Sequence, residues 1–379
     1  RMGHPLHRIP PAIRRRLAVR SAHFTLYGDI SARVLAILRD AAPRVEPYSI
    51  DESFLDLTGL RDREDFARAL RQRVYRWTGI PNCIGIGPTK TLAKLANHIA
   101  KDALRKPGSY PMALGGVADL AAQSPPDLDS LLAATPVGEV WGVGRRWAEK
   151  LRAIGIDTAL ALREAPGQMI QKRFGVVLAR TQRELMGEVC IDLEEVEPDR
   201  QQILVSRSFG ERVSDPEALG EALASFATRA CEKLRGRGLL AQAVGIFADT
   251  DPFRPELGEH HPQRTIDLPR PTRDTRVVLT LLRRMQQRFY KPGHAYKRAG
   301  VWLMNLTRAS QTEADLFAPA SLGNDTLMAA MDAINRRFGQ DSIGLAASGW
   351  RQKPQWGMRQ EHLSRHYTTS IKDLPLATC

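Results

Sequence analysis

Two adjacent carboxylates, Asp51 and Glu52, interrupt the stretch Tyr48-Ser49-Ile50-Asp51-Glu52-Ser53-Phe54-Leu55-Asp56-Leu57. Touching acids with no cation beside them repel one another, and an acid pair at the end of a buried strand usually has a positive charge to hold. A divalent metal is the natural candidate. Consecutive side chains on a regular strand point to opposite faces, so both acids reach one ion only where the backbone turns or bulges. The pattern predicts a hairpin tip at Asp51-Glu52 between strands over 44–50 and 53–58. An ordinary acidic turn fits the same dipeptide.

Periodicity predicts the elements that must hold this tip. Asp29 and Ser31 are placed to cap a helix whose apolar face is Ile30, Val34, Ile37, Leu38 and Ala41, and Pro43 stops it. A helix over 62–78 buries Phe66, Leu70, Val74 and Trp77 and ends at Gly79. A strand over 82–87 passes through Gly87-Pro88 into a helix over 89–101, with Leu92, Leu95, Ala96 and Ile99 inward and Lys101 at its end. A short strand over 116–120 closes the region. This alternation makes an α+β sheet with helices on one face. The run Gly85-x-Gly87-x-x-Lys90-Thr91 lacks the Walker spacing, so its glycines read as room for a tight strand-to-helix turn.

From about 122 to 195 the chain turns to short helices. Gly142-Val143-Gly144-Arg145-Arg146, with Lys150 and then Ile154-Gly155-Ile156, has the form of a helix-hairpin-helix. Its glycines let backbone N–H groups approach a phosphate at the next helix start, where the helix dipole favours an anion. Arg145, Arg146 and Lys150 add charge, and such a grip reads no bases. A purely structural turn is the alternative.

Further on, strands over 203–213, 239–249, 264–268 and 296–306 alternate with helices starting at Asp215-Pro216 and spanning 273–290. The order β-α-β-β-α-β is the split βαβ signature of a ferredoxin-like domain. Arg207 and Arg212 on the first of these strands predict a basic face suited to a phosphodiester backbone; a solvated outer sheet face fits equally.

Composition sets the outer limits. A chain of 379 residues with 43% hydrophobic content is long enough for two to four compact domains. Its 55 Lys+Arg against 42 Asp+Glu leave a net charge of +13, which points to a polyanionic partner. No apolar run approaches a bilayer span and no signal peptide is visible, so no membrane partner is expected. Cys83, Cys190, Cys231 and Cys379 are far apart and lack metal-ligand spacing, as suits reduced thiols in a cytoplasmic protein.

The stretch from Arg44 to Gly59, with Ser49-Ile50-Asp51-Glu52-Ser53-Phe54 at its centre, resembles the palm motif of Y-family translesion DNA polymerases. The block from Cys83 to Asn97, then Ala100-Lys101, follows at that family's spacing. Ser206-Arg207-Ser208-Phe209-Gly210-Glu211 and the tail motifs Gly349-Trp350-Arg351, Trp356-Gly357-Met358-Arg359 and Leu363-Ser364-Arg365-His366-Tyr367-Thr368-Thr369 narrow the resemblance to the UmuC type. It implies an α+β multidomain right-hand polymerase: a ferredoxin-like palm lacking its first strand over 28–121, a helix-hairpin-helix thumb over 122–195 and a ferredoxin-like βαββαβ little finger over 200–308. A basic lead-in over 1–27, read as a remnant of the fingers, and a C-terminal extension over 311–379 flank them.

The same resemblance implies error-prone addition of deoxynucleotides opposite damaged template in an SOS response to DNA damage, with two Mg²⁺ ions. Asp51 would serve both ions, Glu52 the one nearer the primer, and Lys101 the triphosphate of the incoming nucleotide. Gly142, Gly144, Arg145, Lys150, Arg207 and Arg212 would contact primer-template DNA. Leu316 and Phe317 sit in a degenerate sliding-clamp peptide, with packing onto the little finger as the alternative. Implied partners besides DNA and deoxynucleoside triphosphates are a UmuD-type accessory subunit, a RecA filament and a sliding clamp. The family's first strand carries a third carboxylate and a ribose-screening aromatic ahead of Arg1, so the expectation is an N-terminally truncated chain that does not polymerise alone. A catalytically silent scaffold and a structure-selective DNA-binding module are the rival readings.

Overall fold

The computed structural model describes residues 4–194, 201–311, 323–339, 341–349, 354, 356–358 and 360–374. Its contacts gather the chain into two units, each built from two separate segments. An N-terminal unit takes residues 22–198 and 363–379, and a C-terminal unit takes 1–21 and 199–362. A four-residue helix, α1 (Pro11–Arg14), lies in the segment read as irregular.

The N-terminal unit begins with α2 (Phe24–Ala41), which starts earlier than the expected cap at Asp29. Asp29 instead pairs with Arg33 one turn on, at 3.0 Å, as a carboxylate inside a helix can. Next come β1 (Val45–Pro47), β2 (Ser53–Leu55), α3 (Arg63–Thr78), β3 (Ile84–Ile86), α4 (Lys90–Arg105) and β4 (Val117–Asp119). β1 and β2 form an antiparallel hairpin, and β3 and β4 a parallel pair. Ile37, Leu70 and Val74 form one small core, with Ile86, Ala67 and Val117 in another. Trp77, expected inward, is 64% exposed beyond the buried stripe of α3.

Five helices follow: α5 (Pro125–Ala134), α6 (Arg145–Arg152), α7 (Ala159–Glu164), α8 (Gly167–Phe174) and α9 (Val176–Leu185). The palm and thumb ranges read separately from sequence share one core, in which Leu95 and Ile99 of α4 join Leu132, Leu151 and Leu162. Burying both helix faces in one core ties α4 to the helices behind it. Residues from the far end of the chain complete this unit. His23, 4% exposed, meets Ser364 Oγ through Nδ1 at 3.0 Å and His366 Nδ1 through Nε2 at 3.1 Å.

The C-terminal unit has the element order expected: β5 (Gln202–Val213), α10 (Pro216–Gly236), β6 (Leu239–Thr250), β7 (Gln263–Thr272), α11 (Thr275–Phe289) and β8 (Tyr296–Met304). The strands lie in the order β5-β8-β6-β7, every neighbour antiparallel, and β9 (Thr307–Arg308) pairs with β6. Asp215 caps α10 by accepting from Ala218 N, with Pro216 at the first helical position. Leu219, Leu223 and Val278 from the two helices bury one face of the sheet with Ile246, Val301 and Leu303. α12 (Asp325–Phe338) joins α10 through Arg235, whose guanidinium donates to both carboxylate oxygens of Asp332 at 2.7 and 2.8 Å. Trp356 closes the same core against Phe209 and Phe226. No helix among the described residues is long and apolar enough to cross a membrane.

Candidate active site and nucleic-acid interface

The hairpin expected at Asp51-Glu52 is present. Register pairs Val45 with Leu55, Glu46 with Phe54 and Pro47 with Ser53, leaving Tyr48 to Glu52 as the tip. The Glu52 carbonyl accepts the N–H groups of both Tyr48, at 3.1 Å, and Ser49, at 3.0 Å, which closes the tip tightly. Asp51 is exposed, and Ser49 Oγ donates to its Oδ1 at 2.7 Å. Glu52 turns to α4, where Lys94 Nζ lies 2.7 Å from its Oε2. The tip therefore brings both acids to one loop and gives each its own partner.

Beneath the tip Lys90 Nζ stands 2.5 Å from Glu46 Oε2, with the two side chains only 7% and 9% exposed. The Lys90 ammonium lies 5.2 Å from the centre of the Phe54 ring, and that of Lys94 5.1 Å from the Tyr48 ring. Trp141 Nε1 donates to the Tyr48 hydroxyl at 3.2 Å, and its ring meets those of Tyr48 and Phe54 at 5.6 and 5.9 Å. Both arms of the hairpin are thus braced by aromatic contacts and by cations from one helix face.

Why α4 starts where it does is equally local. Thr89 caps it, its Oγ1 accepting from Leu92 N at 3.2 Å. A Cβ on Gly85 would fall 2.0 Å from Asn97 N, and one on Gly87 2.8 Å from Ala93 N, so glycine is what lets strand and helix approach. Lys101, expected at the helix end, lies inside it because Ala100 and Ala103 carry the buried stripe on to Arg105. It is exposed and makes no ion pair among the described residues. Helical geometry puts it two turns past Lys94 on the same stripe, about 10 Å along the axis.

At the helix-hairpin-helix, Gly142 adopts a φ of +87°, where a side chain would be strained, and Gly144 precedes α6 with no side-chain cap. The first N–H groups of α6 are left without a side-chain acceptor, as an anion site requires. Arg145 pairs with Glu149 at 3.0 Å and the Lys150 ammonium lies over Trp147 at 5.0 Å. Arg146 is exposed and unpaired among the described residues.

On β5 the two arginines expected to make a basic face have separate partners. Regular alternation would put Arg207 and Arg212, five positions apart, on opposite faces, and pairing with β8 becomes irregular between Ser208 and Val213. Arg207, opposite Ala299, is exposed and donates to its neighbour's carbonyl, Ser206 O, at 2.8 Å. Arg212 pairs with Asp251 at 2.8 Å and holds that carboxyl below its usual range. Leu316 and Phe317 lie outside the described residues.

Sequence reasoning missed Glu46, Lys90, Lys94 and Trp141 as parts of the site. The four-residue spacing of Lys90 and Lys94 was the available signal for two cations on one helix face. The partners of those cations come from a distant hairpin. Among the described residues no group of three or more His, Cys, Asp or Glu side chains is arranged to hold a metal. Asp51 and Glu52 nevertheless suit Mg²⁺, which takes one or two carboxylate oxygens and completes its shell with water and substrate phosphate. Lys94 shows that Glu52 already accepts a cation.

Family models match in chain order: the impB/mucB/samB family over 1–98, its HHH motif over 125–156 and its C-terminal domain over 200–316. A domain of unknown function, DUF4113, matches 325–377. Protein ImpB of Salmonella typhimurium is 40% identical over 100% of this chain and 88% of its own length. Protein UmuC of the same species is 42% identical over 93% of this chain and 82% of its own. DNA polymerase IV of Moorella thermoacetica is 30% identical over 85% and 76%. Among solved structures, a chimera of the Y-family DNA polymerases Dbh and Dpo4 shares the fold, with a TM-score of 0.55 at 20% identity over 76% of this chain and 78% of its own.

Proposed function

Because this chain belongs to the impB/mucB/samB family, the UmuC type of Y-family DNA polymerase, we propose that the Asp51-Glu52 tip is its nucleotidyl-transfer centre in error-prone translesion synthesis. The observation that carries this reading is one hairpin tip presenting two hard carboxylates beside a helix that bears Lys94 and Lys101 on one stripe. Divalent ions, Mg²⁺ for this donor set, would supply activation of the primer 3′-hydroxyl and neutralisation of triphosphate charge.

The chain's own residues do the rest. Asp51, exposed and oriented by Ser49, and Glu52, held by Lys94, are the groups that would hold such ions. Lys101 is a mobile point charge suited to triphosphate oxygens. The uncapped start of α6, with Gly142, Gly144, Arg145 and Lys150, would hold template or primer backbone without reading sequence. Arg207 offers a further phosphate contact, whereas Arg212 is already occupied by Asp251. A UmuD-type subunit, a RecA filament and, through Leu316 and Phe317, a sliding clamp are the protein partners this reading takes, in the cytoplasm.

The test is Asp51→Ala in the complete protein. Primer extension with Mg²⁺ should fall by about a thousandfold, while primer-template binding by fluorescence anisotropy changes less than about twofold. Extension at the wild-type rate would reject the assignment.

A further inference from the structure

Trp141 stands between two parts of the N-terminal unit that lie far apart in sequence, the glycine turn ahead of α6 and the acid tip. Val140 and Val143 are both buried in the core that α4 shares with the helices behind it, and Val143 N donates to Val140 O at 3.0 Å. That bond closes a four-residue turn with Trp141 and Gly142 as its middle pair. The positive φ of Gly142 is what a type II turn requires at that place. The turn is therefore pinned in the core at both ends. Its indole stays out of that core and meets the Tyr48 and Phe54 rings of the hairpin instead.

Tyr48 in turn reaches Glu52 by two routes. Its N–H donates to the Glu52 carbonyl at 3.1 Å, and its ring lies 5.1 Å from the Lys94 ammonium, which pairs with Glu52 Oε2 at 2.7 Å. Tyr48 is 45% exposed, so burial does not hold it. Among the described residues, the Tyr48 hydroxyl has the Trp141 indole N–H as its hydrogen-bond partner, at 3.2 Å, and the two rings meet edge to face at 85°. The Phe54 ring, 5.6 Å from that of Tyr48, belongs to the same hairpin and moves with it. From outside the hairpin, the Tyr48 side chain is held by Trp141 and Lys94.

We propose that Trp141 is a positioning residue for nucleotidyl transfer: it holds Tyr48, and through Tyr48 the Lys94 ammonium and the Glu52 carboxylate, in the geometry the chemical step needs. The role in chemistry rests on the polymerase reading of the tip. A displacement of about 1 Å at a reacting centre can cost about a hundredfold in rate, and a short loop closed on a single carbonyl shifts readily once its outer support is gone. Trp141 acts through Tyr48, so its loss slows turnover and leaves affinity for DNA and nucleotide alone. The same turn runs on through Gly144 to the uncapped start of α6. One pinned piece of chain thus carries both the side chain that sets the tip and the backbone that faces DNA.

Trp141→Leu in the complete protein should lower the single-turnover rate at saturating deoxynucleotide by about tenfold, with KM for the nucleotide and Kd for primer-template within about twofold of wild type. Trp141→Phe, which keeps the ring contacts, should recover the rate to within about threefold of wild type. In a Tyr48→Leu background Trp141→Leu should cost less than about twofold more, because one residue acts through the other. Amide hydrogen exchange, followed by mass spectrometry without metal, DNA or nucleotide, should run about fivefold faster at Tyr48 and Ser49 in Trp141→Leu and stay unchanged along the buried part of α4. Tyr48→Leu, at an exposed position, carries the same two readouts if Trp141→Leu does not fold. Unchanged exchange at the tip, additive losses in the double variant, or a rate loss matched by weaker DNA binding overturns the proposal. Failure of the brace shows in the exchange of the unliganded protein, whereas failure of the transfer centre shows as Asp51→Ala extension at the wild-type rate, so the two are read separately.

Discussion

The Glu184 carboxylate accepts both the backbone N–H and the hydroxyl of Thr91, at 3.0 and 2.7 Å, through one oxygen. Its other oxygen accepts the N–H groups of Cys190 and Ile191, at 3.2 and 2.9 Å. A buried negative charge thus sits at the start of α4, where the helix dipole favours it, and fixes the helix that carries Lys90, Lys94 and Lys101. Glu184→Gln places an amide against donors it cannot satisfy. Urea unfolding should show a loss of about 2–3 kcal/mol.

Lys94 competes with any other cation for Glu52. Lys94→Gln should raise the affinity of the protein for Mn²⁺, followed by electron paramagnetic resonance, by several-fold. Because the pair is partly exposed, it should cost less than about 1 kcal/mol of stability.

Gly245→Ala would drive a methyl group into the Trp302 indole. Forced displacement of a packed ring costs about 1–3 kcal/mol. Thermal melting should show the loss, and the emission of Trp302 should move toward that of a solvated indole.

Asp274 is fully buried between α11 and α12. Burial pushes its carboxyl up, but the Arg276 guanidinium and the N–H groups of Asn324 and Arg276 together outweigh burial and hold it below the usual range. A carboxyl whose folded value is depressed adds stability above its unfolded value, near pH 4, and loses it as pH falls through the folded value. Asp274→Asn should therefore flatten the decline in stability below about pH 4 while lowering stability at neutral pH, as equilibrium unfolding across that range will show.

The Cys231 thiol, wholly buried, is pushed up to about 12 by burial. A thiol in that state is inert. In native protein a thiol reagent at pH 8 should label Cys83 or Cys190, both partly exposed, and leave Cys231 unmodified until denaturant is added.

Much of this was legible in sequence where local rules act alone. Apolar spacing located α3, α10 and α11 within about two residues, and Asp215-Pro216 marked the start of α10. The start of α2 was misread because Asp29 resembles a cap, and nothing local says that the helix already runs from Phe24. The acid tip was legible as a pair, but its stabilisation was not. Lys90, Lys94 and Trp141 reach it across long stretches of sequence, and long-range pairing leaves no periodic trace. Arg207 and Arg212 could not be placed on one face by alternation, because residues five positions apart fall on opposite faces of a regular strand, and β5 becomes irregular between them.

The interleaving of the two units bears on how the protein is made. His23 waits for Ser364 and His366, and Ser21, whose N–H donates to the His362 carbonyl at 3.0 Å, waits for a residue equally late. In each unit these contacts join segments more than 340 residues apart, so they form only after residues 362–366 have been made. A chain cut short of residue 360 would leave both Ser21 and His23 without these partners.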